Sequence, residues 1–113
     1  MKQVKQHLYE GMYILNSTLS EDARQKALEK ITQGITQREG EVHKVHDQGR
    51  KKLAYEINGK REGYYYIIYF SAPTPTIKEL WREYHLNEDL IRFLTLTTEA
   101  VMEKIEFKPL MQE

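Results

Sequence analysis

Four histidines, seventeen acidic and seventeen basic side chains are the groups in this sequence that could do chemistry, and it holds no cysteine. Without thiols, disulfides and thiolate metal sites are excluded, and an intracellular setting is expected over a secreted one. His43 and His46 stand three apart on a stretch that reads as a strand. Their side chains are therefore expected on opposite sides, where they cannot share a metal. His7 and His85 have no second histidine at ligand spacing. No glycine-rich phosphate loop, nucleophile elbow or histidine–carboxylate pair is evident. Ser20 reads as a helix cap and Ser71 as a strand-end residue. No catalytic residue, metal site, cofactor or small-molecule substrate is expected.

The cations are more informative. The chain is neutral overall, yet residues 44–61 gather Lys44, Arg50, Lys51, Lys52, Lys60 and Arg61 against Asp47 and Glu56. Cations collected on one hairpin are what phosphate contacts need, and such contacts weaken with salt. Neighbouring side chains on a strand alternate, so Arg50 and Lys52 should project one way and Lys51 the other. Gly49 is a plausible bulge that bends the run. The same pattern also fits a lysine-protected edge strand, and the residues alone leave both readings open. Arg92, isolated among apolar neighbours, is a further phosphate candidate, or extends its head to water along the sheet.

The elements that must position these groups follow from periodicity. His7–Leu15 is a short aromatic and apolar run expected as a central strand, with Tyr9, Gly11, Tyr13 and Leu15 on one face and Leu8, Glu10, Met12 and Ile14 on the other. Ser20 caps a helix whose stripe is Ala27, Leu28, Ile31 and Ile35, and Gly40 is the expected C-terminal cap. Glu41–Ile57 reads as a long bent strand in which Leu53, Tyr55 and Ile57 alternate over a buried face. Residues Asn58 to Gly63 form the turn, opened by Asn-Gly. Tyr64–Phe70 is the third strand, with Tyr65, Ile67 and Tyr69 on the face opposite Tyr64, Tyr66, Ile68 and Phe70. Thr74 and Pro75 open a second helix carrying Ile77, Leu80, Trp81 and Tyr84, and Leu90–Thr98 is the last strand.

The order is β-α-β-β-α-β, an α+β fold on the ferredoxin-like plan. Right-handed crossovers place both helices on one face of a four-stranded antiparallel sheet ordered four, one, three, two. Residues 1–98 are expected as one domain and 99–113 as a tail, partly helical or mobile. The other sheet face is expected to stay open. Tyr65 and Tyr69 there could stack bases, but the aromatic signature of RNA-recognition domains is missing from the third strand, so packing beneath a protein partner or against cross-strand neighbours is the better reading. No run approaches the ~20 apolar residues of a membrane span, and Met1–Gln6 lacks a hydrophobic signal core, so a cytoplasmic chain is expected.

The run Gly49, Lys51, Leu53, Ala54, Tyr55 and Ile57 resembles the signature of the sixth-protein family of the bacterial small ribosomal subunit. The resemblance extends through Tyr9, Glu10, Asn16, Gly40, Gly63, Tyr64 and the Leu86–Arg92 segment, about Tyr9 to Thr97. It implies a structural, ribosome-bound protein that binds the central domain of the small-subunit ribosomal RNA, alongside the eighteenth protein of that subunit. Arg50, Lys51, Lys52, Lys60, Arg61 and Arg92, with Lys2, are then the expected phosphate contacts. Met12, Ile14, Tyr65, Ile67 and Tyr69 become the face for the partner protein. The alternative is a ferredoxin-like regulatory or small-ligand module that self-associates through its sheet.

Overall fold

A computed structural model describes residues 5–57 and 59–103. Lys2 and Asn58 lie outside the described residues. Strand β1 (Gln6–Asn16) leads to helix α1 (Glu21–Thr36), then strands β2 (Glu41–Ile57) and β3 (Lys60–Pro73), helix α2 (Thr74–Leu86) and strand β4 (Leu90–Thr97). All pairings are antiparallel and the sheet order is β2-β3-β1-β4, so the expected topology is present.

Period-two alternation sorts the central strands as expected. Tyr9, Tyr13 and Leu15 of β1 and Tyr66, Ile68, Phe70 and Ala72 of β3 are buried against the helices. Ala27, Ile31 and Ile35 of α1 and Leu80 and Tyr84 of α2 complete that core. Gly34 is buried where the helices approach: a Cβ there would lie 3.3 Å from Glu83 Oε1 and 3.6 Å from Leu80 Cδ2. Ser20 is the N-cap of α1, its Oγ accepting from the Ala23 N–H at 3.2 Å.

Several details differ from the sequence reading. The turn is shorter than expected: Ile57 already pairs with Lys60, and Gly59 takes a φ of 78°. Lys60 and Arg61 therefore belong to β3. After α1 it is Glu39, not Gly40, that adopts a left-handed φ of 65°. Gly40 serves close approach instead, since a Cβ would lie 2.6 Å from Ile35 Cγ2 and 2.7 Å from Ile35 O. Pro73, not Thr74, is the N-cap residue of α2. Trp81 sits at the rim, 42% exposed, with its indole N–H donated to Thr95 Oγ1. Of the expected tail, residues 99–103 contain no helix, and 104–113 lie outside the described residues.

Candidate nucleic-acid and protein interface

The β2–β3 hairpin carries the cations as expected, and its bend is built by Gly49. That residue has a φ of 76°, its N–H is bonded to Asp47 Oδ1 at 2.8 Å, and the strand register shifts between Asp47 and Gly49. Left-handed backbone of this kind costs least at glycine. Arg50 and Lys52 are exposed while Lys51 is half-buried, in keeping with alternation. The outer part of the hairpin is not covered by the core, contrary to the expected buried alternation: Leu53 and Ile57 are half-buried and Tyr55 is 60% exposed.

Carboxylates answer part of this charge. Glu62 grips Arg50 with both oxygens, at 3.1 Å to Nε and 3.3 Å to Nη2. Arg61 Nε lies 3.7 Å from Glu56 and Lys44 Nζ 3.2 Å from Glu103. Glu62 lies one position beyond the basic run as read from the sequence, so its cross-strand claim on Arg50 was not visible there. Lys52 is exposed and Lys60 half-exposed, and among the described residues neither is in an ion pair. Arg92 does not stand alone: its Nη1 donates to the Tyr55 hydroxyl, with the guanidinium 5.5 Å from that ring's centroid. The hairpin's outer end thereby reaches across the sheet to β4.

The sheet face away from the helices, hereafter the second face, is only partly open. Register places Glu10 beside Tyr69 and Leu96, Met12 beside Ile67 and Leu94, and Ile14 beside Tyr65 and Arg92. Leu94 and Leu96 are 48% and 50% exposed, and Met12 is half-buried. Ile14 and Ile67 are buried. Tyr69, expected on an open surface, is fully buried. Its hydroxyl donates to Glu10 Oε2 at 2.5 Å. Burial, with the Glu10 carboxylate beside it, pushes that hydroxyl up to about 12, while the Met102 backbone pulls the other way. Burial also raises the Tyr65 hydroxyl, opposed by Arg92.

The two central histidines are on one face, not two. A register irregularity between Val42 and Lys44 inserts a residue, which reverses the alternation after it. His43 thus reaches Ser71 Oγ at 2.7 Å, and His46 meets the Tyr69 ring edge-on with centroids 5.8 Å apart. Glu41 Oε2 lies 3.3 Å from His43 Nδ1, so a serine–histidine–carboxylate chain that the sequence did not disclose runs along the strand ends. The Glu41 side chain is 75% exposed, unlike the buried carboxylate that orients a catalytic histidine. It ties strands together. No group of three or more metal-binding side chains occurs among the described residues.

Fold and site together define a class: a ferredoxin-like two-layer domain that presents a basic hairpin and a half-apolar sheet face, the equipment of a binding protein. The family model described as Ribosomal protein S6 matches residues 8–97. The chain is similar to "Small ribosomal subunit protein bS6" of Protochlamydia amoebophila, 63% identical over 113 residues that cover 100% of this chain and 99% of that one. It is 64% identical over 110 residues to the protein of the same description from Chlamydia caviae, covering 97% and 98% of the two chains. The crystal structure of 30S ribosomal protein S6 from Thermotoga maritima superposes with a TM-score of 0.79 at 33% identity, covering 83% of this chain and 89% of that one. The chain belongs to the ribosomal protein S6 family, whose members are structural proteins and not enzymes.

Proposed function

We propose that this chain is a cytoplasmic structural component of the small ribosomal subunit that binds the central domain of its ribosomal RNA, together with the eighteenth protein of that subunit. The observation that carries the reading is the half-exposed Met12–Leu94–Leu96 strip on the second face of a sheet whose opposite edge strand carries a cation-rich hairpin, in a neutral chain. The strip gives a protein partner apolar area to bury. Met12, Ile14, Tyr65, Ile67 and Tyr69 form the partner side, with Leu94 and Leu96 added from β4. Arg50, Lys51, Lys52, Lys60, Arg61 and Arg92, with Lys2, form the phosphate side. Among these, Lys52 and Lys60 carry more of the RNA contact than Arg50 and Arg61, whose charge is already met by Glu62 and Glu56.

A neutral domain releases few counterions by itself, so its affinity for RNA depends on the partner. Binding to a central-domain RNA fragment across a salt series, with and without the partner protein, tests this. Partner-dependent binding that weakens with salt is the expected result. Tight, salt-insensitive binding by the lone chain would overturn it.

A further inference from the structure

The second face is covered at one end by the chain's own continuation. After β4, the Thr98 N–H donates to Leu8 O at 3.0 Å, and Thr98 Oγ1 donates to Ala100 O at 3.3 Å as the chain turns. By Met102 it has reached β2 on the opposite edge of the sheet. There the Met102 carbonyl accepts from His46 Nε2 at 2.7 Å, and Glu103 pairs with Lys44 at 3.2 Å. Crossing from one edge to the other of a four-stranded sheet covers three interstrand spacings, about 14 Å. Six residues reach at most about 20 Å, so residues 98–103 are long enough to cross the sheet. Tyr69 lies beneath their far end, where the Met102 backbone bonds its hydroxyl; with Glu10 and His46 also packed on it, Tyr69 is fully buried on a face that no helix covers.

The fastenings are polar. The Lys44 and Glu103 side chains are 40% and 82% exposed, and Met102, the bulkiest apolar residue of the segment, is 52% exposed. Exposed ion pairs and single hydrogen bonds contribute little net stability. The segment is thus held in place without being locked there. The ground it covers, around Tyr69, is continuous with Ile67, Met12, Leu94 and Leu96, since Tyr69 and Ile67 pair with Glu10 and Met12 on β1.

We propose that residues 98–103 are a displaceable strap, which occupies the Tyr69 end of the second face in the lone protein and lifts off when the protein partner seats across that face. The identity of the partner rests on the function proposed above; the strap itself rests on the hydrogen bonds of the lone chain. Only the fraction of molecules with the strap open accepts a partner across the full face, so the closed strap lowers apparent affinity by that fraction.

Because the chain has no cysteine, a Met102→Cys variant takes a single nitroxide label while keeping the backbone carbonyl that His46 holds. The label should broaden the amide resonances of Lys44 and His46 in the lone protein. Saturation with the eighteenth small-subunit protein should restore them. In parallel, a chain ending at Glu99 should bind that partner roughly three- to tenfold more tightly than the full chain, and Glu103→Lys should move affinity the same way by a smaller factor. Absence of broadening in the lone protein overturns the strap. Broadening that persists in the complex, or equal or weaker binding by the shortened chain, overturns its displacement. If neither chain binds the partner while broadening is present, the docking reading and the displacement fall and the seated strap stands.

Discussion

At the scale of single residues, the core is unusual for the number of phenols it holds. The hydroxyls of Tyr13 and Tyr84 share a hydrogen bond of 3.0 Å inside it, and Tyr69 donates to Glu10 on the other face. A shared bond lets each hydroxyl enter the core without the cost of an unmet polar group. Burial raises the pKa of Tyr13 well above its ordinary value and pushes Tyr84 and Tyr69 up to about 12. In the unfolded chain these groups ionise near ~10. A phenol that holds its proton more tightly when folded contributes stability that is intact below about pH 10, and that contribution is lost as pH rises to about 12. The denaturation midpoint in urea should therefore be lower near pH ~11 than near pH ~9. Replacing Tyr69 and Tyr84 with phenylalanine removes two of the three protons concerned and leaves that of Tyr13, so the decline should become shallower. An equally steep decline in that double variant would assign the alkaline loss to other groups.

At the scale of elements, helix coverage separates the two halves of the long hairpin. Ile68 is fully buried beneath the helices, whereas Leu53 is half-buried on the outer part of β2. Ile68→Ala should cost roughly 2–5 kcal/mol, as cavity-forming changes do. Leu53→Ala should cost less, about 1 kcal/mol, because it withdraws less apolar area from cover. Chemical denaturation of both variants checks the difference, and equal losses would mean that the outer hairpin is packed as tightly as the core. The contrast also marks how far the sequence could be read. Alternation in Tyr9–Leu15 and Tyr64–Phe70 and the stripe Ala27–Ile35 were legible, because they record which face is buried. The same alternation in Leu53, Tyr55 and Ile57 was misleading, since it records a face without saying whether anything lies over it. The inserted residue between Val42 and Lys44 leaves no mark in composition, yet it brings His43 and His46 to one side. Strand-four facing became legible only from register, which aligns Arg92, Leu94 and Leu96 with Ile14, Met12 and Glu10. The ties of Arg50 to Glu62 and of Lys44 to Glu103 are contacts between distant positions, which spacing along the chain does not encode.

At the scale of the whole molecule, seventeen cations and seventeen carboxylates make attraction to RNA a matter of arrangement, not of total charge. Each phosphate neutralised in a complex releases counterions and steepens the dependence of affinity on salt by somewhat under one unit of log–log slope, about 0.7 on single-stranded nucleic acid and 0.9 on a duplex. A cation already held by a carboxylate must leave that partner to reach a phosphate, so its net effect is smaller. Lys52→Ala and Lys60→Ala should each weaken binding of the protein–partner pair to the RNA fragment and reduce the slope by about one. Arg50→Ala should reduce it less, because that guanidinium is already held by Glu62 and neutralises little phosphate charge on binding. The three variants change exposed or half-exposed positions on the outer hairpin, so their melting temperatures should stay close to that of the parent chain. The measurement is the slope of log affinity against log salt for each variant in the presence of the partner. A larger loss of slope for Arg50 than for Lys52 or Lys60 would show that the Arg50–Glu62 pair opens on binding, and would move the centre of the RNA contact inward along the hairpin toward Gly49.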